Sequence, residues 1–151
     1  KKDRGYLLCS AEKGSPYGSM RFPYYQLGPS DFAPIIPLHI LGKEGWVSVE
    51  AYIDSGASFS IFHTDRAEIL GIPYKTGRQI HLTVGDGGLL EVYVVKVQVE
   101  VADSRFRTEI GFSEQLGVGF NLLGRRGFFD RFQICFNDKQ RFVEFHSLGS
   151  N

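Results

Sequence analysis

The residues best suited to chemistry in this chain are Asp54-Ser55-Gly56-Ala57-Ser58, an acid, a hydroxyl residue and a glycine at the end of an apolar run. A carboxylate is costly to desolvate, so one delivered to the end of a half-buried strand is bonded, paired or functional. Asp54 can act as a general base toward water. Two carboxyl groups that share a proton can do more, because one deprotonates water while the other polarises or protonates a carbonyl oxygen. At about 3 Å and an effective dielectric of about 20, two full negative charges repel by about 5 to 6 kcal/mol, or about 4 pK units. One acid of such a pair therefore stays protonated near the working pH. The plainer reading is a strand-to-turn exit in which Asp54 and Ser55 bond the local backbone.

Other chemistries lack their residue patterns. His39, His63, His81 and His146 show no paired ligand spacing, and no metal or other cofactor is expected. Gly85-Asp86-Gly87-Gly88 lacks the Lys-Ser/Thr of a phosphate-binding loop and runs into a strand, so it reads as a hairpin tip. Ser55 and Ser58 lack the G-x-S-x-G elbow of a serine hydrolase. Cys9 and Cys135, the only cysteines, stand far apart with no ligand partner beside them, and reduced thiols in a cytoplasmic setting are expected. Seventeen basic and seventeen acidic side chains cancel, no basic block stands out, and no nucleic-acid partner is expected. No apolar stretch is long enough for a membrane-spanning helix and no secretory signal is visible, so a soluble protein with no membrane partner is expected.

The elements that must position Asp54 follow from periodicity. Val47, Val49, Ala51 and Ile53 alternate with Trp46, Ser48, Glu50 and Tyr52, the period of a half-buried strand. Ile36, Leu38 and Ile40 form a preceding strand across the turn Gly42-Lys43-Glu44-Gly45. Residues 79–84 and 89–101 read as two strands joined by the glycine-rich tip, with Tyr93, Val95, Val97, Val99 and Val101 on one buried face. Residues 105–112 form a further strand, and 133–136 with 141–145 a closing hairpin. Two short helices are expected, one over 65–70 capped by Thr64 and stopped by Gly71, the other over about 127–132. Residues 1–31, rich in Gly, Pro, Ser and Tyr, show no sustained period and read as an arm; Gly18-Ser19-Met20 is compatible with a cloning scar before a start methionine. A single domain over 32–147 and a tail at 148–151 complete the expected organisation.

From Phe32 to Phe145 the order of motifs resembles the retropepsin-like aspartic peptidases. A strand leads into DSGAS, the segment FSIFHTDRAEILGI carries a small helix, VGDGG tips a hairpin, and Leu122-Leu123-Gly124-Arg125 supplies the apolar-apolar-Gly-Arg signature. The resemblance implies an all-β fold, a small closed β-barrel of the retropepsin type with one or two short helices. Only one D-[ST]-G is present, since Asp103-Ser104 is followed by Arg105. The implied enzyme is therefore a homodimer with one Asp54 from each subunit at its twofold, an aspartic endopeptidase acting on a polypeptide substrate. The alternative is a retropepsin-like module for dimerisation or peptide binding with weak or no turnover.

Roles by resemblance then attach to single residues. Asp54 is the catalytic acid and base, Ser55 sends its hydroxyl across the twofold, and Gly56 offers its N–H to the Asp54 carboxylate. Ala57 and Ser58 meet substrate backbone, and Gly85, Asp86, Gly87 and Gly88 form the tip of a flap that closes over the peptide. Arg125 is the structural arginine, but Ser58 stands where an acid often follows the catalytic loop, which leaves the arginine's partner unassigned.

Overall fold

The computed structural model describes residues 18–149 of the 151-residue chain; residues 1–17 and 150–151, which hold most of the expected arm, Cys9 and the last of the tail, lie outside the described residues. In chain order the strands are β1 (Ser19–Pro23), β2 (Tyr25–Gly28), β3 (Asp31–Ala33), β4 (Ile35–Gly42), β5 (Gly45–Ile53), β6 (Ile61–His63), β7 (Arg78–Thr83), β8 (Leu89–Val101), β9 (Ser104–Ser113), β10 (Leu122–Leu123), β11 (Phe132–Asn137) and β12 (Phe142–Ser147). Helix α1 (Thr64–Leu70) lies between β6 and β7. Among the described residues no helix is long and apolar enough to cross a membrane.

Hydrogen bonding runs in the order β4-β5-β10-β6-β9-β8-β7, and a further pairing of β4 with β8 closes the first six of these into a ring. β7 stays outside that ring as the edge strand of a hairpin with β8. Inside it, Ile36, Leu38 and Ile40 of β4 meet Val49, Ala51 and Ile53 of β5, Val97 and Val99 of β8, and the rings of Phe62, Phe112 and Phe128. Burying such side chains stabilises the fold by about 1.5–3 kcal/mol each against leaving them in water.

β8 serves two cores, and here the sequence-based expectation is only partly met. Val97, Val99 and Val101 are buried on the odd face as expected, and Val95 packs against the same core. At the other end of the strand the even residues Leu90, Val92 and Val94 are buried instead, against Ile61 with Ile80 and Leu82 of β7. The strand leaves the ring to join β7, so a different face is covered at each end.

Helix α1 begins at Thr64 itself, with His63 at the cap position in an extended conformation and no side-chain cap bond; Gly71 ends it at φ 68°. The second expected helix does not form as such. Arg125–Phe129 is a single helical turn broken by an extended Arg126 and by Gly127 at φ 82°, and Phe132 already belongs to β11. A Cβ at residue 127 would collide with the Thr108 hydroxyl, so close packing against β9 adds to the need for glycine there.

Ser19–Pro23, inside the segment expected as an arm, pairs antiparallel with β12, which pairs in turn with β11. Arg21 donates to Glu144 at 2.8 Å and stacks on Phe142, while Phe22 meets Phe145 edge-on at 5.5 Å. Cys135 in β11 is disulfide-bonded, contrary to the expectation of reduced thiols; its partner lies outside the described residues.

Candidate active site

Asp54 sits where β5 ends. Tyr52 N–H donates to Asn121 O at 2.7 Å, Ile53 N–H to Pro34 O at 2.9 Å and Asp54 N–H to Leu123 O at 3.0 Å, so the strand end is held between its two neighbours. The chain then turns back on itself. Ala57 N–H donates to Asp54 O at 3.2 Å, and Gly56 N–H donates to the Asp54 carboxylate at 2.8 Å. A Cβ on residue 56 would stand 3.1 Å from that carboxylate oxygen, tighter than ordinary packing allows. Glycine therefore lets the acid lie against its own backbone while its other oxygen stays available. Ser55 and Gly56 are exposed and Asp54 is half-buried.

The second segment of the site is Gly124-Arg125-Arg126, laid against the loop backbone to backbone. Arg125 N–H donates to Ala57 O at 2.9 Å and Arg126 N–H to Ser58 O at 3.0 Å. Gly124 N–H donates to the buried hydroxyl of Ser60 at 2.9 Å, and a Cβ at residue 124 would collide with the Phe59 carbonyl. The Arg125 guanidinium donates to Ser55 O at 3.0 Å. The side-chain partner of Arg125 is thus a backbone carbonyl, and the arginine grips the loop at the residue after Asp54.

Gly85–Gly88 form the tip between β7 and β8. Val84 N–H donates to Gly88 O at 2.9 Å, Gly87 N–H to Val84 O at 2.9 Å, and Gly88 N–H to the Asp86 carboxylate at 2.8 Å. Gly87 has φ 84°, the one position of the tip that needs glycine for its backbone. No hydrogen bond or ion pair joins this tip to the Asp54 loop among the described residues. The link between the two lies lower, where Phe59 packs against the apolar cluster that Ile80 and Leu82 of β7 also cover.

Residues that the sequence reading did not single out complete the surroundings. Beside Asp54 and Ser55 opens a cavity of about 600 Å³ lined also by Tyr52, Phe136, Asp138 and Arg141. Tyr24 donates to Asp138 at 2.7 Å, and burial first, then this bond to a carboxylate, push its phenol well above its ordinary pKa. Tyr52 and Phe120 meet as a tilted ring pair with centroids 5.7 Å apart, and a second cavity of about 520 Å³ that they help to line reaches Glu50, His63 and Asn121. Asn121 ties three segments together: its amide accepts from His63 N–H at 2.9 Å and donates to Glu50 O at 3.0 Å. Its position just before Leu122-Leu123-Gly124-Arg125 was the available signal, but only contacts between distant segments reveal its role.

No family model and no curated protein matches the chain. Among solved structures, a retropepsin-like aspartic protease from Rickettsia conorii superposes at a TM-score of 0.61, with 14% identity, over 85% of this chain and 90% of that one. The chain has a retropepsin-like fold. The EIAV protease complexed with an inhibitor is also similar, at 20% identity and a TM-score of 0.49, covering 65% of this chain and 86% of that one. In the retropepsin-like fold seen here, the ring of strands presents Asp54 at the open end of β5, and the β7–β8 hairpin projects from the same ring.

Proposed function

We propose that this chain is an aspartic endopeptidase in which two Asp54 carboxylates, one from each subunit of a homodimer, activate the water that hydrolyses a peptide bond. The observation that supports it most directly is the state of Asp54. Its carboxylate is set at a strand end by one backbone N–H, and among the described residues no cation and no second carboxylate bonds to it. That is half of a two-acid site, and a twofold through the loop supplies the other half. The two acids share one proton. The ionised one takes a proton from water as the water oxygen attacks the scissile carbonyl carbon, and the protonated one gives its proton to the carbonyl oxygen. Collapse of the resulting diol returns a proton to the departing amine and breaks the C–N bond.

The other residues serve this step by position. Gly56 orients the carboxylate, Ser55 lies at the proposed twofold, and Arg125 holds the Ser55 carbonyl. Ala57 and Ser58 line the floor on which an extended peptide is held by main-chain hydrogen bonds. Gly85, Asp86, Gly87 and Gly88 act as a flap tip that closes over the peptide and excludes water. The test is to incubate the purified protein with peptides for hours and follow masses, beside the Asp54→Asn protein prepared identically. Cleavage that needs Asp54 is expected; equal cleavage by both proteins, with contaminating protease excluded, would falsify the mechanism.

A further inference from the structure

Arg126 is an exposed cation fastened to the edge of the Asp54 loop. Its N–H donates to Ser58 O, and its guanidinium carbon lies 4.5 Å from the centre of the Phe59 ring. Among the described residues no carboxylate forms an ion pair with it. Phe59 packs against Ile61, Leu90, Val92 and Val94, the cluster beneath the root of the β7–β8 hairpin. The ring therefore stands between the loop and the hairpin, the space in which a peptide under the hairpin would run. No acid occurs from Ser55 to Thr64 or from Asn121 to Phe129, whereas Arg125 adds a second positive charge beside Arg126. Arg125 turns its guanidinium to the loop and bonds Ser55 O, whereas among the described residues the Arg126 guanidinium makes no hydrogen bond and lies against the Phe59 ring.

A guanidinium over an aromatic face keeps its in-plane N–H groups free to grip a carboxylate at two points. The ring beneath limits the motion of the arginine and covers one face from water. We propose that Arg126 and Phe59 form a subsite that selects a glutamate or aspartate side chain in the substrate peptide. The inference rests on the peptidase reading for the position of the scissile bond. The selected residue lies at one of the positions flanking that bond, and the peptide scan identifies which. In a homodimer the subsite occurs twice, once on each side.

The experiment uses fluorescent peptides of one apolar sequence carrying Glu, Gln or Lys scanned through those positions. Binding is measured on the Asp54→Asn protein and cleavage on the wild type. Glu peptides are expected to bind about five- to tenfold more tightly than Lys peptides and to be cut with the same bias, because opposite charges attract and like charges repel across the contact. Arg126→Gln should erase the bias and Arg126→Glu should reverse it, with melting temperatures close to wild type since the side chain is exposed. Binding without charge preference, or a preference that Arg126→Glu leaves intact, overturns the subsite. A preference that reverses as expected, in a protein that never cleaves, keeps the subsite and removes the peptidase reading. Failure of every peptide to bind and to be cut overturns both.

Discussion

At the scale of single residues, the site depends on how closely two backbones approach. Gly124 is set against the Phe59 carbonyl, so Gly124→Ala forces the loop and the arginine segment apart. Overpacking of this kind costs about 1–3 kcal/mol, and the expected result is a lower urea midpoint together with a larger loss of peptide cleavage. A variant with unchanged midpoint and turnover would show that the two segments are free to separate. Arg125→Met removes the bond to Ser55 O but keeps the apolar stem, so turnover should fall about tenfold while the melting temperature changes little, as befits an exposed bond. Arg125→Lys should restore part of the rate. The Asp54-Ser55-Gly56 loop stands out in the sequence because an acid followed by a hydroxyl residue and a glycine ends an apolar strand, whereas Arg125 is singled out only by the resemblance of Leu122-Leu123-Gly124-Arg125 to a family signature. Ser60 and Asn121 do not stand out, since each is an ordinary polar residue until the fold brings Gly124 to one and His63 to the other.

At the scale of elements, the β7–β8 hairpin combines a well-bonded turn with exposed apolar side chains. Val84 and Leu89 flank the tip with 40% and 67% of their surface exposed, apolar surface that the proposed closure of the hairpin over a peptide would cover. Gly87 alone there has a positive φ, so Gly87→Val should strain the tip, whereas Gly88→Val would press only on the Asp86 side chain. The expected outcome is a several-fold fall in kcat/KM for Gly87→Val, with a near-native melting curve because the tip lies outside both cores. Unchanged cleavage kinetics would remove the hairpin from the reaction. Periodicity located the strands of this hairpin but placed Tyr93 on the buried face, where Val94 is the buried residue. A strand that is covered on opposite faces at its two ends carries no single alternation to read. For a similar reason β1 was read as part of an arm: five residues pairing with a strand more than a hundred positions away leave no local pattern.

At the scale of the whole molecule, one subunit supplies one D-S-G loop and thus half of the proposed chemistry. If the two Asp54 groups share one proton, kcat/KM should follow a bell-shaped pH profile, since both the fully protonated and the fully ionised pair lack either the base or the acid. Serine- and cysteine-directed reagents should leave the rate unchanged. The decisive property is stoichiometric. Asp54→Asn preserves the shape of the loop and removes charge, so the variant should still dimerise, with itself and with wild-type chains. Mixing equal amounts of the two proteins and allowing subunits to exchange then distributes the chains at random. A quarter of all dimers retain two acids, so about half of the wild-type activity present before mixing should survive. A site complete within one chain would retain all of it. Sedimentation should show a dimer at the mixing concentration, and dilution should lower activity per chain as that dimer dissociates. Full activity in the exchanged mixture, with exchange verified by mass-labelled chains, would place the second catalytic group inside the subunit and end the two-chain reading.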